Sequence, residues 1–336
     1  MPCKPSAVLS LIGLALVLPA SVLAGENENG GFAPVDPVSP NAQGITDTYY
    51  IIAALAGLIL LLVVVPLLVF MVRYRARGRP RELEGPQVRG NNRLELTWTV
   101  VPVVLLVAIL GFVFYKLPGI NDLQRASASD RGLEIAVEGR QYYWQYTYPN
   151  GVIAVNSFRV PQGRTVKLEI RSPDDGVQHS FWIPAFGGKY DALPGHANRL
   201  SFRASKTGVY RGNCGEFCGL QHSVMYTSAL VLPPRAFDRW LAGEARRQRT
   251  GTSNLGQISY SGACATCHGP EGNGLIGPSI KGNPIAMDAE AIERLTRNGR
   301  GEMPPVAAGW TDRQMRALVR YLRREIAPGE RNGDGG

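Results

Sequence analysis

Tyr49 to Val72 is a run of 24 residues with no charged side chain, and Trp98 to Leu117 is a second apolar run, of 20 residues. Inside a bilayer the backbone has no water to bond to, so runs of this length are forced into spanning helices whose polar groups satisfy one another. Pro66 and Pro102 would break soluble helices, but a span tolerates them where neighbouring groups take up the freed carbonyls. Between the runs stand Arg73, Arg75, Arg77, Arg79, Arg81, Arg89 and Arg93, and this basic loop, residues 73–97, belongs on the cytoplasmic side. The pattern predicts a transmembrane hairpin over 45–118, with both flanking parts of the mature chain outside.

The N-terminus agrees with that topology. Lys4, the apolar run from Ala7 to Leu18 and the small-residue site at Val22-Leu23-Ala24 read as a secretory signal peptide over 1–24, too short to span. Cys3 precedes the apolar run and would be removed with it. Gly25 to Gly44, rich in Gly, Pro and Asn, is expected to be a loose external segment. A formal charge of +9 invites a nucleic-acid reading, but it is dispersed: 9 basic against 7 acidic residues in 1–118, 17 against 11 in 119–252, and 10 against 9 in 253–336. No segment is a basic tail, and the composition speaks against nucleic-acid binding.

Past the second span the pattern changes to short alternating runs broken by Pro and Gly, which predicts an antiparallel β domain over 119–235. In Thr165-Val166-Lys167-Leu168-Glu169-Ile170 the apolar Val166, Leu168 and Ile170 share one face. Further strands are expected at Tyr142–Tyr148, Arg199–Ala204 and Thr227–Leu232. Late in this domain Cys214, Cys218, His222 and Met225 fall within twelve residues. Two thiolates, an imidazole and a thioether are a soft donor set, suited to copper or zinc. A structural zinc site takes four Cys or His ligands and no thioether, whereas a weakly bound Met belongs to electron-transfer copper, so copper is the better reading. The loop resembles those of cupredoxin-like sites, which pair an upstream His with a Cys…His…Met loop, and that likeness implies His179, in Gln178-His179-Ser180-Phe181-Trp182, as donor of the remaining imidazole. A Cys214–Cys218 disulfide is the alternative in an exported domain, but it leaves the spacing of His222 and Met225 unexplained. His196 lies in a Pro-Gly loop and is left out of the ligand set.

From Ala236 to Thr252, Phe237, Trp240 and Leu241 share a helical face while the rest is charged, which reads as a solvated linker. Beyond it, a domain over 253–330 carries Cys264-Ala265-Thr266-Cys267-His268, a C-x-x-C-H whose cysteines can add to the two haem vinyl groups while His268 takes an axial position on iron. Residues 331–336 are a tail. Three methionines compete for the other axial position. Met315 sits at core spacing in a terminal helix opened by Thr311 and Gln314, Met287 lies in a loop, and Met303 lies in Gly301-Glu302-Met303-Pro304-Pro305. This domain resembles small class I cytochromes c, and the likeness implies an all-α fold, Met303 as second axial ligand, and the Gly277-Pro278 carbonyl as acceptor for the axial His.

C-x-E-x-C-x3-H-x2-M, preceded by His179-Ser-Phe-Trp-Ile-Pro, closely resembles the binuclear copper (CuA) motif of subunit II of haem-copper cytochrome c oxidases. The resemblance implies a cupredoxin β-sandwich in which Cys214 and Cys218 bridge two coppers. His179 and His222 each terminate one copper, Met225 is a weak ligand, and Glu216 gives its backbone carbonyl. It also implies a magnesium ion on the Glu216 side chain at the interface with subunit I, and a role for Glu95 at the mouth of a proton channel in that subunit. Gly139-Arg140-Gln141-Tyr142-Tyr143-Trp144 resembles the segment in which the family carries a Trp for incoming electrons, with Tyr142 at that position here.

The whole order, signal peptide, two spans, CuA domain, cytochrome c, resembles subunit II of caa-type oxidases. By that likeness this is a multi-domain membrane protein that passes electrons from an external donor, a cytochrome c or a bc complex, through covalent haem c to CuA and on to the haem of subunit I. Oxygen reduction and proton translocation would belong to that separate subunit, with subunit III as a further partner, in a bacterial inner membrane. Two rivals share features: a quinol oxidase subunit II, which lacks the Cys, His and Met set, and a free-standing anchored carrier or copper-delivery protein, for which Glu95 and Glu216 would have no partner.

Overall fold

The computed structural model describes residues 33–75, 87, 90–126 and 132–327, with the backbone alone at 119–126. The expected signal peptide, most of the arginine loop and the tail lie outside these residues. The chain divides into two compact units, Gln43–Asp122 and the remainder.

The first unit is built from helices α1 (Pro40–Arg73) and α2 (Asn92–Ala126). Both are long and apolar enough to cross a membrane. They outrun the expected spans 49–72 and 98–117, because an apolar run marks only the length that hydrocarbon covers and says nothing of where helix ends. Pro66 and Pro102 lie inside them, as the sequence reading allowed. At the start of α2 the Asn91 side chain accepts from Leu94 N at 3.2 Å and Glu95 Oε1 accepts from Asn91 N at 3.1 Å. This reciprocal cap satisfies amides that a helix start leaves without partners.

Among the described residues of the other unit, ten strands form two five-stranded sheets, in the orders β3-β2-β1-β5-β8 and β4-β10-β9-β6-β7. The strands of the first sheet are β1 Leu133–Arg140, β2 Tyr143–Thr147, β3 Ile153–Val155, β5 Thr165–Arg171 and β8 Asn198–Arg203. Those of the second are β4 Ser157–Pro161, β6 His179–Trp182, β7 Tyr190–Ala192, β9 Gly208–Cys214 and β10 Tyr226–Leu232. Most pairings are antiparallel, but β1 runs parallel to β5 and β10 parallel to β4. Val166, Leu168 and Ile170 all face the core, as their alternation requires. Between the sheets Tyr146 stacks on Phe158 with centroids 4.2 Å apart, and Phe181 meets Trp144 edge-on at 5.2 Å.

Two expectations are corrected. Residues 33–44 are not a loose external segment throughout: Val38 N donates to Ala185 O, Ser205 N donates to Val38 O, and Val38, Ser39, Asn41 and Ala42 are buried. The apolar Val38 gives this strap a place in the sandwich core, a signal that its Gly and Pro neighbours obscured. Residues 236–252 are not a solvated linker either. They form helix α3 (Pro234–Thr250), which buries Phe237, Ala245 and Gln248. Gln248 bonds both backbone groups of Ile153 in β3, accepting from its N–H at 3.0 Å and donating to its carbonyl at 2.8 Å. Arg159 of β4 lies over the Trp240 ring at 4.7 Å, so the helix's aromatic face packs on the sandwich rather than on solvent.

The last part is helical: α4 (Leu255–Ala263), α5 (Ala265–His268), α6 (Ala289–Asn298) and α7 (Asp312–Tyr321). Helices α4 and α7 cross so closely that a Cβ on Gly256 would collide with the Ala317 carbonyl. Thr311 caps α7 and Met315 is buried in its core face, as the sequence pattern required.

Candidate functional site

Cys214 ends β9 and Met225 precedes β10, so the connection between two paired strands is a loop whose ends are held by the sheet. Cys214 N donates to Met225 O at 3.0 Å, closing its base. His179 opens the neighbouring strand β6, which pairs with β9 through Phe181 and Cys214. A rigid scaffold thereby brings residues 35 positions apart into one cluster.

Cys214 Sγ and Cys218 Sγ lie 3.9 Å apart. His179 Nδ1 is 3.8 Å from the first sulfur and His222 Nδ1 is 3.7 Å from the second. Met225 Sδ lies 3.8 Å from Cys218 Sγ, and the Glu216 carbonyl oxygen 3.2 Å from Cys214 Sγ. Sulfurs this far apart are free thiols, since a disulfide needs about 2.05 Å. The spacing suits donors that share metal ions at about 2.0–2.3 Å each. Each thiol has its own imidazole and its own weak donor, so the set divides into two similar halves around a pair of shared sulfurs, which fits a binuclear copper group better than a single ion. His179, Cys214, Cys218 and Met225 are buried, and His222 is half-exposed at one side. The hydrogen bond from Cys218 draws the Cys214 thiol well below its usual range, while the remaining proton is held on Cys218, whose thiol is raised by the Cys214 sulfur beside it.

The Glu216 carboxylate turns outward and pairs with Lys189 Nζ at 3.4 Å. His196 is exposed and is not part of the His179, Cys214 and Cys218 cluster.

A cavity of about 550 Å³ occupies the helical part, lined among others by Cys264, Cys267, His268 and Met303. Its size is that of a cofactor site. His268 Nδ1 donates to the Pro278 carbonyl at 2.8 Å, which leaves Nε2 as the free donor of the ring. Gly277 packs so near that ring that a Cβ would stand 3.0 Å from its Cε1, so the imidazole has a fitted seat. Burial pushes the Cys264 thiol up to about 12, and raises Cys267 as well. The residues fit a haem held by two thioethers and an imidazole. Of the three methionines, Met315 is in the core with its sulfur 3.9 Å from Thr296 Oγ1, Met287 is exposed, and Met303 alone of the three lines the cavity.

Gln141, which the sequence did not single out, and Tyr142, which it placed at the family's Trp position, join the two regions. Gln141 Nε2 donates to the Cys218 carbonyl at 2.8 Å, and the Tyr142 hydroxyl accepts from Leu220 N at 3.2 Å. Both side chains also line the cavity that holds Cys267 and His268. The resemblance of residues 139–144 to an electron-entry segment carried the signal for Tyr142; nothing in the sequence distinguished Gln141.

A two-helix anchor, a cupredoxin sandwich with a thiolate and imidazole cluster, and a C-x-x-C-H helical domain define a membrane-bound electron-transfer protein with a copper station and a haem station. Comparison with known proteins specifies it further. Residues 28–116 match the family described as cytochrome c oxidase subunit II, transmembrane domain, and residues 154–231 its periplasmic domain. Residues 253–322 match cytochrome c oxidase, cbb3-type, subunit III. Cytochrome c oxidase subunit 2 of Alkalihalophilus pseudofirmus is 32% identical over 313 residues, covering 86% of this chain and 89% of that one. The Cereibacter sphaeroides subunit 2 is 31% identical over 207 residues, covering 50% and 65%. The periplasmic domain of subunit II from Bradyrhizobium japonicum, a solved structure, is 30% identical and covers 35% of this chain and 97% of its own, with a TM-score of 0.33. The chain belongs to the cytochrome c oxidase subunit II family, in the form that carries a fused cytochrome c domain, and is a component of a haem-copper oxidoreductase that works beside a subunit I.

Proposed function

We propose that this chain receives electrons from an external donor at its cytochrome domain, passes them to its copper domain, and delivers them to the haem of subunit I, where oxygen is reduced to water with proton translocation. When bound, covalent haem c and the binuclear copper group supply one-electron redox chemistry; the chain supplies their seats. Cys264 and Cys267 would attach the haem, and His268 and Met303 would hold its iron. Cys214, Cys218, His179 and His222 would hold the coppers, the two thiolates being shared between them, with Met225 and the Glu216 carbonyl as the weak donors. The observation that carries the order of transfer is the double contact of Gln141 and Tyr142, which touch the copper loop at Cys218 and Leu220 and also line the haem cavity. Tyr142 then stands where the family's Trp receives electrons, and here the giver is the chain's own cytochrome domain.

The immediate donor on this reading is a cytochrome c or a bc complex, and the assembly includes subunit III in a bacterial inner membrane, with the cupredoxin and cytochrome domains on the periplasmic side. The Glu216 side chain would exchange Lys189 for magnesium at the subunit I interface, and Glu95 would stand at the mouth of the proton channel.

Rapid mixing of the assembled oxidase with reduced donor, following haem and copper absorption separately, tests the order. Haem reduction is expected first, copper reduction second. A Cys264→Ala, Cys267→Ala chain that lacks haem yet reduces copper at the parent rate would contradict it.

A further inference from the structure

We infer that the copper domain positions the axial-methionine loop of the cytochrome domain, with Tyr143 as the bracing residue. The inference rests on the reading of Met303 as haem ligand. Along β2 successive side chains point to opposite faces, so Trp144 and Tyr146 enter the sandwich core while Tyr143 and Gln145 point out of it. An outward face would ordinarily be wet, yet Tyr143 and Gln145 are both buried. Tyr143 belongs instead to the hydrophobic core of the cytochrome domain, beside Tyr260, Cys264, Val306 and Trp310.

Its hydroxyl donates to the Val306 carbonyl at 2.5 Å and accepts from Trp310 Nε1 at 2.8 Å. Burial raises this phenol, so it stays a donor across the accessible pH range. Val306 and Trp310 lie in the loop that carries Met303. On its other side the same loop is tied to α6: Ala307 N donates to Thr296 O at 2.9 Å, and Arg297 Nη1 to Trp310 O at 3.0 Å. Met303 itself sits in a turn closed by reciprocal backbone bonds with Arg300. The guanidinium of Arg140, paired with Glu138 at 2.6 Å, fills the space where Gly309 has no room for a Cβ. The loop is therefore gripped from two domains at once. Without Tyr143, the carbonyl at Val306 and the indole N–H of Trp310 would be left buried without partners, and the loop would gain freedom to swing Met303 away.

The test uses the full-length, haem-loaded chain and the red charge-transfer band that marks sulfur ligation of ferric haem. Tyr143→Phe keeps the ring and removes both hydrogen bonds. It is expected to retain covalent haem and the copper EPR signal, while the alkaline displacement of the sulfur ligand moves about one pH unit lower, a tenfold easier release matching the loss of about one net hydrogen bond. Trp310→Phe removes one of the two bonds from the opposite side and should shift the midpoint in the same direction; it decides the matter if Tyr143→Phe does not fold. Parent-like displacement midpoints in the folded variants would overturn the inference. Failure of the underlying reading looks different: Met303→Leu would then leave the band intact.

Discussion

Gln248→Ala separates a structural helix from a solvated tether. Gln248 is 2% exposed, and its amide is the partner of both the N–H and the carbonyl of Ile153, itself 3% exposed. Alanine leaves those two groups buried and unpaired at about 1–3 kcal/mol each, or about 2–6 kcal/mol together, with water entering the gap favouring the lower end. For a folded unit of this size about 2–4 °C of melting temperature follows each kcal/mol, so the first thermal transition should fall by roughly 4–24 °C. Circular dichroism of the detergent-solubilised chain reads it, with Arg249→Ala, an exposed position of the same helix, as control. Coincident melts for the two variants would refute the packed role of α3 and restore the tether.

Other outcomes follow from the same contacts. Copper uptake by the apo chain should strengthen with pH: Cys218 holds its proton because its thiol is raised, loading must expel that proton, and affinity should rise about tenfold per pH unit in a competition with a chelator between about pH 6 and about pH 8. A flat profile would mean that both thiols are already ionised. Glu95→Gln keeps an acceptor for Asn91 N, so α2 should stay capped while proton uptake by the assembled oxidase slows; unchanged uptake would limit Glu95 to capping. Leu168→Ala, in a fully buried position of β5, should destabilise the sandwich by about 2–5 kcal/mol, measured by denaturant unfolding, and an unperturbed midpoint would mean that the core is misassigned.

The thiol, imidazole and thioether cluster and the C-x-x-C-H proposed to hold copper and haem were legible because each chemistry calls for a short local spacing, and a loop between paired strands preserves such spacing in space. His179, 35 residues before Cys214, needed the likeness to a known family, since strand pairing and not sequence separation brings it in. The parts that escaped are those decided by burial on a second face. Tyr143 and Gln145 read as one side of an ordinary strand until a helical domain covers them. Gln248 and Glu244 sit in a charged stretch whose hydrophobic stripe is short, yet their buried amide and carboxylate contacts fix the helix. Val38 lies among Gly and Pro and still reaches the sandwich core. Hydropathy marks what must leave water; it does not mark polar side chains that leave water because their partners are already there.

On the proposed function, one chain holds a binuclear copper station and a covalent haem station. Metal and haem analysis with EPR on the purified full-length protein tests it most directly. Two coppers sharing one unpaired electron are expected for each covalently bound haem c, with the copper signature lost in Cys218→Ser. A single copper, or a zinc, in the presence of haem would contradict it, because the two halves around Cys214 and Cys218 would then not both hold metal.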